Sequence, residues 1–279
     1  MPKSPIRRTP VRRTSKTKKA NPFLRSTSFY RLVILAVFAV VLYSQRNALA
    51  YYFGFKTDKM FVEPRDVPLE KVLDAHIEKS FGLDISEYQD KINWEDLKEL
   101  DGGYPIEFVF VRATVGCDRA DYKFKKYWAK AKENKFICGA YHYYRPNENS
   151  VEQANNFIKA VQLKKGDFPP VLDIEKLPKE QSIERLKVGL QRWLDVVEKH
   201  YGVKPIIYSS ESYYNDFLKE DFEGYPFWIA NYSAFYTDID DDWSMWQICE
   251  NAKVPGIKGR VDVNIFNGTS LDLKKLLIQ

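Results

Sequence analysis

The sequence predicts an α/β fold, a TIM-like barrel of (β/α)5(β)3 type preceded by a single N-terminal transmembrane helix. Three observations predict it. Eight short apolar runs are spaced along residues 82–266, helical periodicities separate the first six of them, and no such periodicity separates the last three. Strands that alternate with helices pair in parallel, and eight of them close into a barrel. The roughly 200 residues that remain after the leader lie at the lower edge of what a barrel requires, so the body reads as one domain without repeats.

The leader is set apart by charge. Up to Lys56 there are 12 Lys and Arg and no Asp or Glu, which leaves 31 basic against 38 acidic residues in the other 223. The net charge of +5 is therefore a +12 leader on a −7 body. The uncharged apolar run Leu32–Tyr43 follows the basic residues directly, and positive charge before such a run marks the cytoplasmic side of a membrane. Taken from Ser28 to Tyr51 the run approaches the ~20 residues of a full span, with Tyr30, Tyr43, Tyr51 and Tyr52 suited to the interfaces. The expected organisation is a basic cytoplasmic tail over 1–27, a signal anchor over 28–51, a tether over 52–78 and a barrel over 79–279. The barrel would then lie outside the cytoplasm, on a single-pass protein of the inner membrane. Ala48-Leu49-Ala50 is a small-x-small site that would release it if cleaved.

Within the body the expected strands are Gly82–Ser86, Phe108–Ala113, Phe136–Tyr144, Pro170–Glu175, Pro205–Ser209, Pro226–Tyr232, Ser244–Cys249 and Val261–Phe266. The helices expected between them are Trp94–Leu100, Tyr122–Asn134, Val151–Leu163 opened by Asn149-Ser150, a long one from Ser182 to Gly202, and Ser212–Leu218. Ser182 is a preferred N-cap residue and Gly202 a preferred helix terminator. Cys117, Cys138 and Cys249 show no CxxC pair and are expected to be buried thiols, with one bridge left open. His76, His142 and His200 are too scattered for a metal set. Neither metal nor organic cofactor nor nucleic acid is expected as a partner.

Val171-Leu172-Asp173-Ile174-Glu175 places two carboxylates two residues apart on a strand, hence on one face and ~6.5 Å apart at Cα. Two buried like charges are costly unless they share a proton or meet a substrate, and glycoside hydrolysis uses such a pair. Asp84 ends the first strand and Asp262 lies on the eighth, which closure makes its neighbour. Four acids should therefore surround one mouth. Crowding by Asp173 is expected to raise the pKa of Glu175, leaving Asp173 ionised. Tyr141, Tyr143, Tyr208, Trp228, Tyr232 and Trp246 fall on strands or strand ends and offer rings on which pyranoses stack. His142 alternates with Tyr141 and Tyr143, so a structural role is expected for it.

Gly82-Leu83-Asp84-Ile85-Ser86-Glu87-Tyr88-Gln89, Phe110-Val111-Arg112-Ala113-Thr114, Gly139-Ala140-Tyr141-His142-Tyr143-Tyr144, Leu172-Asp173-Ile174-Glu175, Trp228-Ile229-Ala230-Asn231-Tyr232, Trp246-Gln247 and Val261-Asp262-Val263-Asn264 occur in that order. Together they resemble the motifs of family 25 glycoside hydrolases, the Chalaropsis-type lysozymes. The resemblance spans about Phe81 to Leu277. It implies hydrolysis of the β-1,4 bond between N-acetylmuramic acid and N-acetylglucosamine in peptidoglycan glycan strands. It also implies that Glu175 is the general acid, Asp173 its electrostatic or neighbouring-group partner, and Asp84 and Asp262 the other acids of the site. One position departs from the family: Val115-Gly116 stands where Glu-Gly is usual. A chitinase-like reading would require acids at the positions of Phe168 and Val171. A membrane-tethered module that binds glycan without cutting it is the alternative from another class.

Overall fold

The computed structural model describes residues 31, 34–39, 69–232, 237–239 and 242–279. The expected basic tail, most of the expected anchor and the first part of the tether lie outside them. Residues 34–39 are helical, with Ile34, Leu35, Val37 and Phe38 exposed. Among the described residues no helix is long and apolar enough to cross a membrane.

Among the described residues the ten strands are β1 (Ser80–Ile85), β2 (Glu99–Leu100), β3 (Tyr104–Val115), β4 (Arg119–Ala120), β5 (Ile137–Tyr143), β6 (Val171–Asp173), β7 (Ile206–Ser210), β8 (Phe227–Ala230), β9 (Met245–Ala252) and β10 (Val261–Phe266). Eight of them close the barrel in the order β1-β10-β9-β8-β7-β6-β5-β3, with β3 pairing back to β1. These eight coincide with the eight apolar runs. The two-residue strands β2 and β4 attach to β3.

Within the eight-stranded barrel all neighbours are parallel except β10, which runs antiparallel to both β9 and β1. The expectation of uniformly parallel pairing is corrected here. A connection of only residues 253–260 joins β9 to β10 and holds no helix, and a link this short returns the chain antiparallel. Asp262 therefore reaches the functional mouth from the amino end of its strand, directly opposite Asp84 in the ladder.

After residues 34–39, the helices among the described residues are α1 (Leu69–Ala75), α2 (Phe124–Glu133), α3 (Ser150–Ala160), α4 (Ile183–Tyr201), α5 (Glu211–Tyr213, continued by a π turn over Tyr214–Leu218) and α6 (Ser270–Leu276). Their ends follow local chemistry. Asn149 accepts from the amides of Val151 and Glu152, Ser182 from that of Arg185, and Gly202 closes α4 at φ 72°. The expected helix Trp94–Leu100 is absent: turns lead into β2, because the Asp101-Gly102-Gly103 turn, with both glycines at positive φ, folds Glu99 and Leu100 back onto β3. Two helices stand outside the expected set. α6 is opened by a Thr269–Asp272 capping box. α1 falls inside the stretch expected to be tether, yet it buries Val72 and Leu73 and packs against β9. The folded body thus begins at least ten residues before the expected boundary at 79. Its apolar pair Val72-Leu73 is too short a signal to separate a packed helix from a linker.

The barrel interior is filled by Phe108, Phe110, Phe168, Val171, Ile206, Trp228 and Met245. Phe110 lies against both Phe168 and Trp228, at centroid distances of 4.5 and 4.7 Å. This plug forms the floor on which the polar residues of one mouth stand.

Candidate active site

A pocket of about 520 Å³ opens at that mouth. Asp84, Asp173, Glu175 and Asp262 all line it, as do Tyr141, Tyr143, Tyr208, Trp228 and Tyr232. Trp246 does not. It is 1% exposed, donates its indole N–H to the Asn231 carbonyl at 2.9 Å, and packs edge-on against His76 and Trp243. Side chains alternate along β9, so the pocket receives its neighbour Gln247 instead. The expectation that Trp246 contacts sugar is corrected accordingly.

Gln247 and Asn264 hold Asp84. Their amide N–H groups donate to Asp84 Oδ2 at 2.7 and 2.8 Å. Tyr208 and Tyr232 donate their hydroxyls to Gln247 Oε1, and the Trp228 indole donates to Asn264 Oδ1 at 2.9 Å. Three of the rings expected to touch sugar thus direct their polar tips at the amides that orient a carboxylate. Asp84 also hydrogen-bonds Asp262. Burial raises both acids; the bonds from Asn264, Gln247 and Asp262 pull Asp84 back, whereas burial and then the charge of Asp84 push Asp262 up to about 9, so Asp262 holds the proton at neutral pH and donates it to Asp84.

Asp173 and Glu175 form a second hydrogen-bonded pair, and both are raised above the ordinary carboxylate range. Burial is the first cause for each. Asp173 is raised also by the charges of Glu175 and Asp84 and pulled back by Arg112; Glu175 is pulled back by Lys176 and by its hydrogen bond to Asp173, and raised by Asp84. Two buried carboxyls this close share one proton, held along the hydrogen bond between them. Crowding treats the two acids alike; their exposure differs. Asp173 Oδ1 is buried without a hydrogen-bond partner, whereas Glu175 keeps part of its surface open to the pocket.

Arg112, on β3, is fixed by Asp121 at 3.2 Å and Glu87 at 3.2 Å. A single buried polar residue within an apolar strand, such as Arg112 or Gln247, is the sequence signal that could have marked both as site residues. Val115 lines the pocket as an apolar side chain. At this corner a carboxylate arrives from a loop: Glu148 accepts from the Cys117 amide at 2.8 Å and from Arg145 at 2.9 Å. His142 is enclosed on the outer face of β5. It bonds Thr114 at 2.7 Å and Gln153 at 3.2 Å, stacks on Trp193, and is pushed down to about 4 by burial. Cys138 is buried as expected, whereas Cys117 and Cys249 are part-exposed, which corrects the expectation of three buried thiols.

A closed β/α barrel whose mouth gathers paired carboxyl groups among aromatic rings is the arrangement of a barrel glycosidase. The model of glycosyl hydrolases family 25 matches residues 83–257, and the chain belongs to that family. It is 39% identical over 195 residues to the YegX protein of Escherichia coli K12, covering 69% of this chain and 71% of that one. Lysozyme M1 of Streptomyces globisporus is 29% identical over 70% of each chain. Among solved structures, a family 25 glycosyl hydrolase from Bacillus anthracis superposes with a TM-score of 0.64 at 26% identity, covering 72% of this chain and 95% of its own. A bacterial lysozyme from Streptomyces coelicolor gives the same TM-score and identity over 71% and 97%.

Proposed function

We propose that this glycoside hydrolase is a muramidase, cutting the β-1,4 bond between N-acetylmuramic acid and N-acetylglucosamine in peptidoglycan, with Glu175 as general acid and Asp173 as its partner. The observation that carries the reading is the hydrogen-bonded Asp173–Glu175 pair in a pocket with Asp84 and Asp262. Its relatives named lysozyme support the substrate class.

The pair holds one proton between two buried carboxyls. With that proton on Glu175, Glu175 is the acid and Asp173 the anion. Glu175, partly open to the pocket, then protonates the leaving oxygen. Asp173 opposes the positive charge that develops on the sugar, either directly or by steering the substrate's N-acetyl group. Asp84, held by two amides and the Asp262 proton, supplies a fixed negative potential on the other side.

The enzyme works at the outer face of the cytoplasmic membrane, tethered by residues 28–51. Purified peptidoglycan tests the reading: the wild-type protein should clear a suspension and release reducing ends. Glu175→Gln should do so about 100-fold more slowly while remaining folded and bound to glycan. Near-normal hydrolysis by the folded variant would remove Glu175 from the role. Binding without clearing by the wild type would favour a glycan-binding module.

A further inference from the structure

At the lip of the pocket, on the β1 side, stands a ring that the chemistry above leaves unused. Tyr88 lines the pocket yet is 74% exposed. The Arg112 guanidinium lies over its ring, 4.8 Å from the centroid. Arg112 is itself buried and clamped by Glu87 and Asp121, and Asp121 also accepts from the Glu87 amide at 2.9 Å. The backbone around Tyr88 is tied down as well: its N–H reaches Ser86 Oγ, the Ser86 amide donates to Gln89 Oε1 at 2.8 Å, and Lys123 holds the Glu87 and Gln89 carbonyls. An aromatic ring fixed in orientation by a buried cation and left open to solvent is a platform.

We infer that Tyr88 is a distal sugar subsite, stacking a pyranose of the same glycan strand beyond the two rings that flank the cleaved bond. The inference rests on the muramidase reading of the pocket. A sugar ring presents an apolar C–H face to the aromatic ring and its hydroxyls to neighbouring polar groups. Arg119, half-exposed, ion-paired with Glu87 and lining the same pocket, is placed to donate to those hydroxyl oxygens. Such a platform preorganises a long strand across the mouth and adds nothing to a substrate too short to reach it.

The test compares muramic acid–N-acetylglucosamine oligosaccharides of four and of eight or more rings as substrates of wild type, Tyr88→Ala and Tyr88→Phe. Wild type and Tyr88→Phe should bind the longer strand better, with a KM advantage of about 3- to 10-fold, the range that one ring–ring contact supplies. Tyr88→Ala should lose that advantage, with kcat on the long strand little changed. An equal length advantage in Tyr88→Ala, or its loss in Tyr88→Phe as well, overturns the stacking subsite. A wild-type protein that cleaves neither strand overturns the muramidase reading and the subsite with it, whereas one that cleaves both with the same KM overturns the subsite alone.

Discussion

Asp262 faces Asp84 at one register position of the β1–β10 ladder, a pairing that costs stability when both are charged. The site tolerates it by holding a proton on Asp262, and this has a consequence for pH. Below about pH 4 the folded and unfolded chains both hold that proton; between there and about pH 9 only the folded chain does. The folded state then binds more protons, so the contribution of Asp262 to stability declines as pH rises through this window and levels off above it. Asp262→Asn keeps a hydrogen-bond donor for Asp84 without the titration. The variant should match the wild type in thermal stability near pH 4 and exceed it increasingly toward pH 9, by on the order of 1–3 kcal/mol, while losing activity. Melting curves of both proteins across that range check it; a gap that does not widen with pH would show that Asp262 is not the proton holder. The neighbouring amides Gln247 and Asn264 were legible only as polar interruptions of apolar runs, because nothing in a one-dimensional pattern tells which carboxylate an amide will meet.

At the level of elements, the eight barrel strands were legible because each is a short apolar run bounded by turn residues, and α4 because its caps and periodicity agree. The direction of β10 was not, since direction depends on the length of the connection and not on the strand's own residues. Trp94–Leu100 carried apolar spacing that the following Gly102-Gly103 turn overrode. Two strand glycines show what composition conceals. A Cβ on Gly139 of β5 would lie 2.1 Å from Phe110 of β3, and one on Gly82 of β1 equally close to Phe108. Each glycine is paired with the strand whose phenylalanine covers it, so large rings fill the barrel where the adjacent strand gives up its side chain. Gly139→Ala should therefore cost about 1–3 kcal/mol and lower Tm by roughly 2–10 °C. Phe110→Leu, destabilising alone, should restore part of that loss when combined with it, and additive losses in the double variant would deny the contact.

Over the whole chain the dominant asymmetry is electrical, a +12 leader ahead of a −7 body. Two attachments to a membrane fit such a leader, and salt separates them. Basic residues drawn to anionic lipid headgroups are released once ionic strength shortens the Debye length to a few ångströms, whereas an apolar span of some 20 residues is held by hydrophobic transfer and is indifferent to salt. The stretch 28–51 contains only Arg31 and Arg46 as charges, one near each end, where both can reach the interface. An uncleaved anchor therefore predicts that the full-length protein sediments with membranes, stays there in 1 M salt on the order of the highest screening used, dissolves in detergent and retains its basic N-terminus. Release by salt alone would reduce the leader to an electrostatic contact. A soluble exported form beginning near Tyr51 would identify Ala48-Leu49-Ala50 as a cleavage site, and the barrel would then act away from the membrane.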